Sequence, residues 1–233
     1  MMDKIYGLEK MSLVDYDGHI CATIFLASCN FRCPFCHNSS LVLDTDKLIS
    51  YDDKEIYSYL EKRRGMLDAV CITGGEPTLN ENLEDIIDKI KSLGYLVKLD
   101  SNGTRPNVLK HLIDTKKVDY IAMDIKSSLA NYKKVAGITN DNLIDRVKES
   151  IELLKTSKID YEFRTTLVKE LHSEDDIHEI GELIQGASKF YFQKFTDHGE
   201  CIKEGFHEVD IDTANKYLSI IQKYVENAAL RGY

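Results

Sequence analysis

Runs of residues typical of buried strands alternate along this chain with runs that have the spacing of amphipathic helices. Apolar residues recur at helical spacing between the strand-like runs, as at Leu83, Ile86 and Ile90. Strands separated by helices form a parallel sheet, because each right-handed crossover brings the chain back to the same end of the sheet. The pattern predicts one α/β domain over residues 1–233, and a doubly wound sheet or a barrel-like sheet would both satisfy it. The six expected strands are 20–26, 68–72, 95–99, 119–124, 161–168 and 188–193.

Local signals mark where some of these elements begin. Residues 6–26 contain two extended stretches on either side of the turn sequence DYDG, which predicts a β-hairpin ahead of the repeats. Ser50 with Asp53, and Ser173 with Asp176, have the spacing of a capping box, so each pair predicts the start of a helix.

The composition is that of an ordinary soluble globular protein. Hydrophobic residues make up 43% of the 233 residues and charged residues 30%. No apolar run approaches the ~20 residues of a membrane span, and the N-terminus lacks an apolar signal core. The net charge is −9 and the basic residues are scattered, which argues against nucleic-acid binding. We therefore expect a cytoplasmic protein with no membrane or nucleic-acid partner.

Three of the six cysteines lie close together in a loop after the first strand of the repeat. Cys29, Cys33 and Cys36 have the spacing C-x3-C-x2-C. Thiolates suit iron–sulfur clusters and zinc, but a structural zinc site and an electron-carrier cluster both take four ligands. Three cysteines on a four-iron cluster leave one iron open, as in a catalytic cluster. Cys21 and Cys71 fall in apolar runs and are expected to act as small apolar residues.

Other polar side chains follow the ends of later strands, where the chemistry of parallel barrels collects. In residues 73–77 (TGGEP), two glycines allow close backbone approach and Glu76 could hold an ammonium group, although such a sequence also suits a plain turn. Residues 100–104 (DSNGT) contain a turn signal, and Asp124 with Lys126 could form a structural ion pair. His198, Cys201 and His207 match no zinc-binding pattern.

The cysteine loop, with the aromatic residue Phe35 in C-x3-C-φ-C, resembles the signature of the radical S-adenosylmethionine (SAM) enzymes. The string 9–41 is similar to the activases of glycyl radical enzymes, most closely to those that serve anaerobic ribonucleoside-triphosphate reductase. The similarity extends to about residue 193. It implies an open (β/α)6 partial TIM barrel, preceded here by the hairpin.

The resemblance also implies roles for individual residues. It implies a single 4Fe-4S cluster on Cys29, Cys33 and Cys36 and a possible monovalent cation on Asp100, Ser101 and Asp124. Arg164 and Gln193 become candidate substrate or cofactor contacts, because the histidine that some activases have after the last strand is absent here. The residues implied to bind SAM are Phe35, Gly74, Gly75, Glu76, Pro77, Asn102 and Lys126.

The implied reaction is reductive cleavage of SAM, which yields a 5′-deoxyadenosyl radical that makes a glycyl radical on a large partner enzyme, with a flavodoxin or ferredoxin as electron donor. Anaerobic ribonucleotide reductase is the first partner candidate. The alternatives are activation of another glycyl radical enzyme, of the pyruvate formate-lyase type, and modification of a small molecule or peptide. Outside this class, an iron–sulfur electron carrier or a zinc-binding module would each need a fourth ligand.

Overall fold

A computed structural model describes residues 4–197 and 199–233. The contacts divide the chain into two compact units that interleave along the sequence. The first unit contains the described residues up to 29 together with 40–101 and 105–121, and the second contains 30–39, 102–104 and 122–233. The boundary passes within the cysteine loop and within one strand. The single domain expected from the sequence stays a prediction.

The first unit is built on four strands that lie side by side in chain order. The first two are antiparallel, which confirms the hairpin, and the second, third and fourth are parallel. These strands are β1 (Ile5–Ser12), β2 (Cys21–Leu26), β3 (Ala69–Gly74) and β4 (Leu96–Ser101). The helices are α1 (Ser39–Leu43), α2 (Asp53–Lys62), α3 (Leu83–Ser92) and α4 (Pro106–Asp114), with short 3-10 turns at Thr45–Lys47 and Pro77–Leu79.

The second unit continues the alternation of strands and helices. Its last three strands are parallel neighbours in chain order. The strands are β5 (Tyr120–Asp124), which contains the unit boundary, β6 (Asp160–Leu167), β7 (Phe190–Lys194) and β8 (Ala228–Arg231). The helices are α5 (Tyr132–Ala136), α6 (Asn142–Thr156), α7 (Glu174–Leu183) and α8 (Ile211–Ile221).

Burial follows the sequence periods from which the elements were predicted. In α3 the apolar residues at helical spacing, Leu83, Ile86 and Ile90, are almost completely buried. Each such side chain contributes about 1.5–3 kcal/mol when it leaves water. In β2 five of the six residues are buried, as expected of a strand covered on both faces. No helix in the described ranges is long and apolar enough to cross a lipid bilayer.

Two local predictions fared differently. The capping box of Ser173 and Asp176 is confirmed at the start of α7. The cap predicted at Ser50 is wrong: α2 begins after Asp52, whose carboxylate accepts a 2.9 Å hydrogen bond from the Lys54 backbone N–H. Aspartate is at least as good an N-cap as serine, and here it is the residue next to the first helical turn.

Strand β8 was not predicted, because Ala228–Arg231 is four residues long and carries no alternation of apolar and polar side chains.

Candidate functional site

The approach to Cys29 is a strained segment of backbone that two hydrogen bonds hold in place. Ser28 has φ +77°, a left-handed conformation that residues with a side chain rarely adopt. Its N–H donates to the carbonyl of Leu41 at 2.8 Å, and its carbonyl accepts from the N–H of Glu76 at 2.7 Å. Strain of this kind persists only where the surroundings over-determine it, and it clusters at functional sites. The first unit thus fixes the chain direction immediately before Cys29.

The backbone before Cys29 lies so close to the end of β3 that only glycines fit at positions 74 and 75. A Cβ on Gly75 would lie 2.0 Å from the Ser28 carbonyl oxygen, and one on Gly74 would lie 2.3 Å from that of Leu26. The Gly75 N–H also donates to the Leu26 carbonyl at 2.8 Å. Close backbone approach was predicted for these glycines from the sequence. In the structure the group that approaches them is the chain's own backbone at the start of the cysteine loop.

Glu76 is a buried carboxylate, 1% exposed. Its Oε1 accepts hydrogen bonds from the Thr78 N–H at 3.1 Å and from the Ser101 hydroxyl at 2.9 Å. Pro77, which follows it, is buried and opens a 3-10 turn. The predicted acidic residue is therefore buried in the first unit, where Thr78 and Ser101 hold its carboxyl group.

In the second unit, Asn30 belongs to a network of side-chain hydrogen bonds. Its Nδ2 donates to the Thr104 hydroxyl at 2.8 Å, and its Oδ1 accepts from Nδ2 of Asn102 at 2.8 Å. Oδ1 of Asn102 accepts in turn from the Thr104 N–H and hydroxyl at 3.0 and 2.7 Å. Asn102, predicted as a SAM contact, thus holds the residue next to Cys29. Sequence reasoning missed this role, because the two asparagines are 72 residues apart.

The rest of the cysteine loop is packed by its own unit. Cys33 is buried and Cys36 is half-buried, and the Cys36 N–H donates to the Cys33 carbonyl at 3.0 Å. Burial raises the pKa of the Cys36 thiol. Phe35 is buried, with its ring edge-on to that of Phe195 at 6.3 Å between centroids. Phe35 therefore supports the loop by packing, in addition to the cofactor contact predicted for it.

Cys201 lies against the same loop. Its thiol donates to the Phe35 carbonyl at 3.5 Å, and the neighbouring Lys203 N–H donates to the Pro34 carbonyl at 2.8 Å. Burial, followed by the effect of Asp197, raises the pKa of the Cys201 thiol to about 11.

The other candidate residues near Cys201 do not join it. His207 pairs through Nδ1 with Glu170 Oε1 at 2.7 Å, and His198 lies outside the described residues. No three His, Cys, Asp or Glu side chains among residues 4–197 and 199–233 are arranged to hold a single metal ion. A four-iron cluster makes a different demand, because each of its ligands binds a different iron.

Asp124 at the end of β5, Lys126 just after it and Arg164 within β6 form a charged triad. Asp124 Oδ1 accepts from Nε and Nη2 of Arg164 at 3.0 and 2.9 Å, and its Oδ2 lies 3.0 Å from Nζ of Lys126. Burial opposes ionisation of Asp124, but the two cations outweigh it and lower the pKa of the carboxyl to about 2. Burial likewise disfavours charged Lys126, and Asp124 outweighs it, so the lysine pKa is raised. The triad keeps one excess positive charge, suited to a carboxylate ligand.

Gln193 lines a cavity of about 160 Å³ that also contains His37, the residue after Cys36. Thr166 lies opposite Gln193 in the register of β6 and β7, so both side chains reach this cavity from the carboxyl ends of their strands. A predicted contact residue is therefore placed beside the cysteine loop within the second unit.

The fold is an α/β fold with a parallel sheet, and its distinctive residues follow the carboxyl ends of the strands. The model of the radical SAM superfamily matches residues 23–184. This chain therefore belongs to the radical SAM superfamily. The expected fold class, a parallel sheet forming an unclosed partial barrel, is confirmed. Enzymes of the superfamily use a 4Fe-4S cluster and SAM.

Individual relatives extend the comparison. A protein of Methanocaldococcus jannaschii, provisionally named a glycyl-radical enzyme activating enzyme, is 30% identical over 97% of this chain and 95% of its own length. A protein of Saccharolobus solfataricus, provisionally named a GTP 3′,8-cyclase, is 32% identical over 54% of this chain and 41% of its own length. SuiB of Streptococcus suis, in a crystal structure with S-adenosylmethionine, has a TM-score of 0.65 and 15% identity over 90% of this chain and 52% of SuiB. At that identity the likeness to SuiB shows the fold alone.

Proposed function

We propose that this radical SAM enzyme activates a glycyl radical enzyme, with anaerobic ribonucleoside-triphosphate reductase as the first candidate partner. The observation that carries the proposal is the similarity to the Methanocaldococcus jannaschii protein, which spans 97% of this chain and 95% of that protein. A match over nearly the whole of both chains supports a shared role more strongly than a match over one part of the chain would. A reduced flavodoxin or ferredoxin is the proposed electron donor.

The donor set of the cysteine loop fits the cluster. Cys29, Cys33 and Cys36 are the proposed ligands, and none of them is in a disulfide. When bound, the cluster and SAM supply a 5′-deoxyadenosyl radical that takes a hydrogen atom from the substrate.

The remaining proposed roles follow from charge and position. Lys126, with the excess positive charge of its triad, faces the SAM carboxylate, and Glu76 receives the SAM ammonium group. Gly74 and Gly75 bring the backbone close to the start of the cysteine loop. Gln193, with His37, lines a cavity beside Cys36.

A second candidate is radical modification of a small molecule or peptide. The Saccharolobus solfataricus relative favours it, because that protein is slightly more identical over the half of the chain that it matches. Its match covers only 41% of its own length, so most of that protein has no counterpart in the alignment. This is why we place the activase first.

The test of the cofactor roles is anaerobic reconstitution with iron and sulfide, followed by measurement of iron content, visible absorption and SAM cleavage. Cys33→Ala should lose the visible absorption, since one thiolate ligand is gone. Cys201→Ala is the matched control and should keep four irons. Loss of the cluster in Cys201→Ala would show a fourth protein ligand, and the catalytic assignment would fail.

The test of the partner is an anaerobic mixture of the reduced protein, SAM and a candidate glycyl radical enzyme. A doublet in the electron paramagnetic resonance spectrum of the reductase supports the proposal. A doublet on pyruvate formate-lyase alone would move the assignment to another activase. Release of 5′-deoxyadenosine with a small molecule and no doublet on either enzyme would favour the second candidate.

A further inference from the structure

The acidic side chains that the resemblance assigns to a monovalent cation already have basic partners within their own units. Asp100 accepts a 3.0 Å hydrogen bond from the Thr73 hydroxyl at Oδ2, and its Oδ1 lies 3.4 Å from Nζ of Lys98. The Lys98 side chain is 3% exposed. A lysine buried to that degree stays charged only when it is paired, so Lys98 and Asp100 neutralise each other.

Besides Asp100, two other groups in the first unit contact the Lys98 ammonium group. Its Nζ also donates to the Asp15 carbonyl and lies 5.9 Å from the ring centre of Tyr120. Residues two apart on a strand point to the same face, which is why Lys98 and Asp100 meet on β4. The ammonium group is thus fixed next to Asp100 by the fold.

Asp124 is neutralised in the same way in the second unit. Arg164 binds its Oδ1 through two nitrogens and Lys126 binds its Oδ2, so both carboxylate oxygens face a cation. With two cations around one carboxylate, the local charge is positive. The excess positive charge of Arg164 and Lys126 would repel a further cation that approached the Asp124 carboxylate.

Ser101, the third residue of the set, is also engaged. Its hydroxyl proton is donated to Glu76 at 2.9 Å, and the side chain is 3% exposed. A hydroxyl oxygen by itself is a weak ligand for an alkali ion. Within its own unit, neither aspartate of the set therefore offers an uncompensated charge to a monovalent cation.

We propose that Lys98 at Asp100 in the first unit, and Arg164 at Asp124 in the second, each supply the positive charge that a monovalent cation would bring to that aspartate, so that SAM binds to this protein without an alkali ion. Lys98 acts as a positioning residue and does not itself bind SAM, because its Nζ is held by Asp100 and by the Asp15 carbonyl. This inference rests on the proposed SAM site.

The experiment measures the affinity of the reconstituted protein for SAM by equilibrium dialysis under anaerobic conditions. The buffer salt is potassium, sodium or choline chloride at equal ionic strength. Choline is too large to enter a site built for an alkali ion. We expect affinities for the wild type that agree within about twofold, which corresponds to ~0.4 kcal/mol.

The variant that sharpens the test is Lys98→Met, which leaves the Asp100 carboxylate without its built-in cation. We expect it to bind SAM about tenfold more weakly in choline and to regain affinity in potassium. Lys98→Arg keeps the charge and should show no salt preference. The control is Lys91→Met, which removes a lysine paired with Asp119 in the same unit and should leave the affinity unchanged in every salt.

A wild-type affinity that falls tenfold or more in choline would overturn the inference, and this comparison stands even if Lys98→Met does not fold. Equal loss of affinity in all salts for Lys98→Met would also contradict the charge-replacement role. Absence of SAM binding in every salt would instead refute the proposed function.

Discussion

Replacement of Gly75 by alanine should disrupt the junction between β3 and the cysteine loop. The added Cβ would lie 2.0 Å from the Ser28 carbonyl oxygen, whereas real Cβ contacts are not shorter than 3.0 Å. The two backbone segments must therefore separate by about 1 Å. Separation weakens the hydrogen bonds from Gly75 to Leu26 and from Glu76 to Ser28, which are 2.8 and 2.7 Å long.

The size of the effect follows from these contacts. Overpacking costs about 1–3 kcal/mol, and each weakened hydrogen bond contributes about 1 kcal/mol. We expect a loss of about 3 kcal/mol in the free energy of unfolding. For a chain of this size, that lowers Tm by roughly 6–12 °C. Because Ser28 precedes Cys29, iron content after reconstitution should also fall.

The assay is thermal unfolding of the protein before reconstitution, together with iron analysis after it. The matched control is Gly65→Ala. Gly65 has φ +77° and no atom near its Cβ position, so that variant carries only the cost of the left-handed conformation, about 1–2 kcal/mol. It should bind iron fully. A Gly75→Ala protein with wild-type Tm and full iron content would refute the reasoning.

Three further predictions concern single side chains. Ser28→Gly should keep or raise stability by up to about 1 kcal/mol in thermal unfolding, because glycine adopts φ +77° without strain; a clear loss would mean that the serine side chain is needed. Asn102→Ala should lower the free energy of unfolding by about 2 kcal/mol through the lost bonds to Asn30 and Thr104. Weaker SAM binding at unchanged stability would instead make Asn102 a ligand. Asp124, with its pKa lowered to about 2, contributes about 2 kcal/mol that is present above its unfolded pKa near 3.8 and is lost as the pH falls through 2. In urea unfolding at several pH values, the free energy of unfolding of Asp124→Asn should fall less with acid than that of the wild type. An equal dependence on pH in the two proteins would contradict this.

The predictions from sequence were reliable where a sequence pattern and the structural element that it forms lie within the same few residues. The capping box of Ser173 and Asp176 and the amphipathic helix Leu83–Ser92 both have local causes. The cap at Ser50 was wrong because several residues before α2 can cap a helix, and only the path of the chain selects Asp52. Strand β8 exists because it pairs with β7, and its own four residues carry no pattern.

The same distinction applies to the candidate site. The sequence by itself determined the residue types of the site: three cysteines in one loop, two glycines, a glutamate, and charged residues after successive strands. Only the tertiary structure decided what each of these touches. Gly75 packs on Ser28, and Asp124 is neutralised by Arg164, 40 residues away. The spacing of residues along the chain determines helical or strand periodicity and which ligand types lie close together. Which charges neutralise each other, and where two backbone segments leave no room for a side chain, depend on which strands become neighbours.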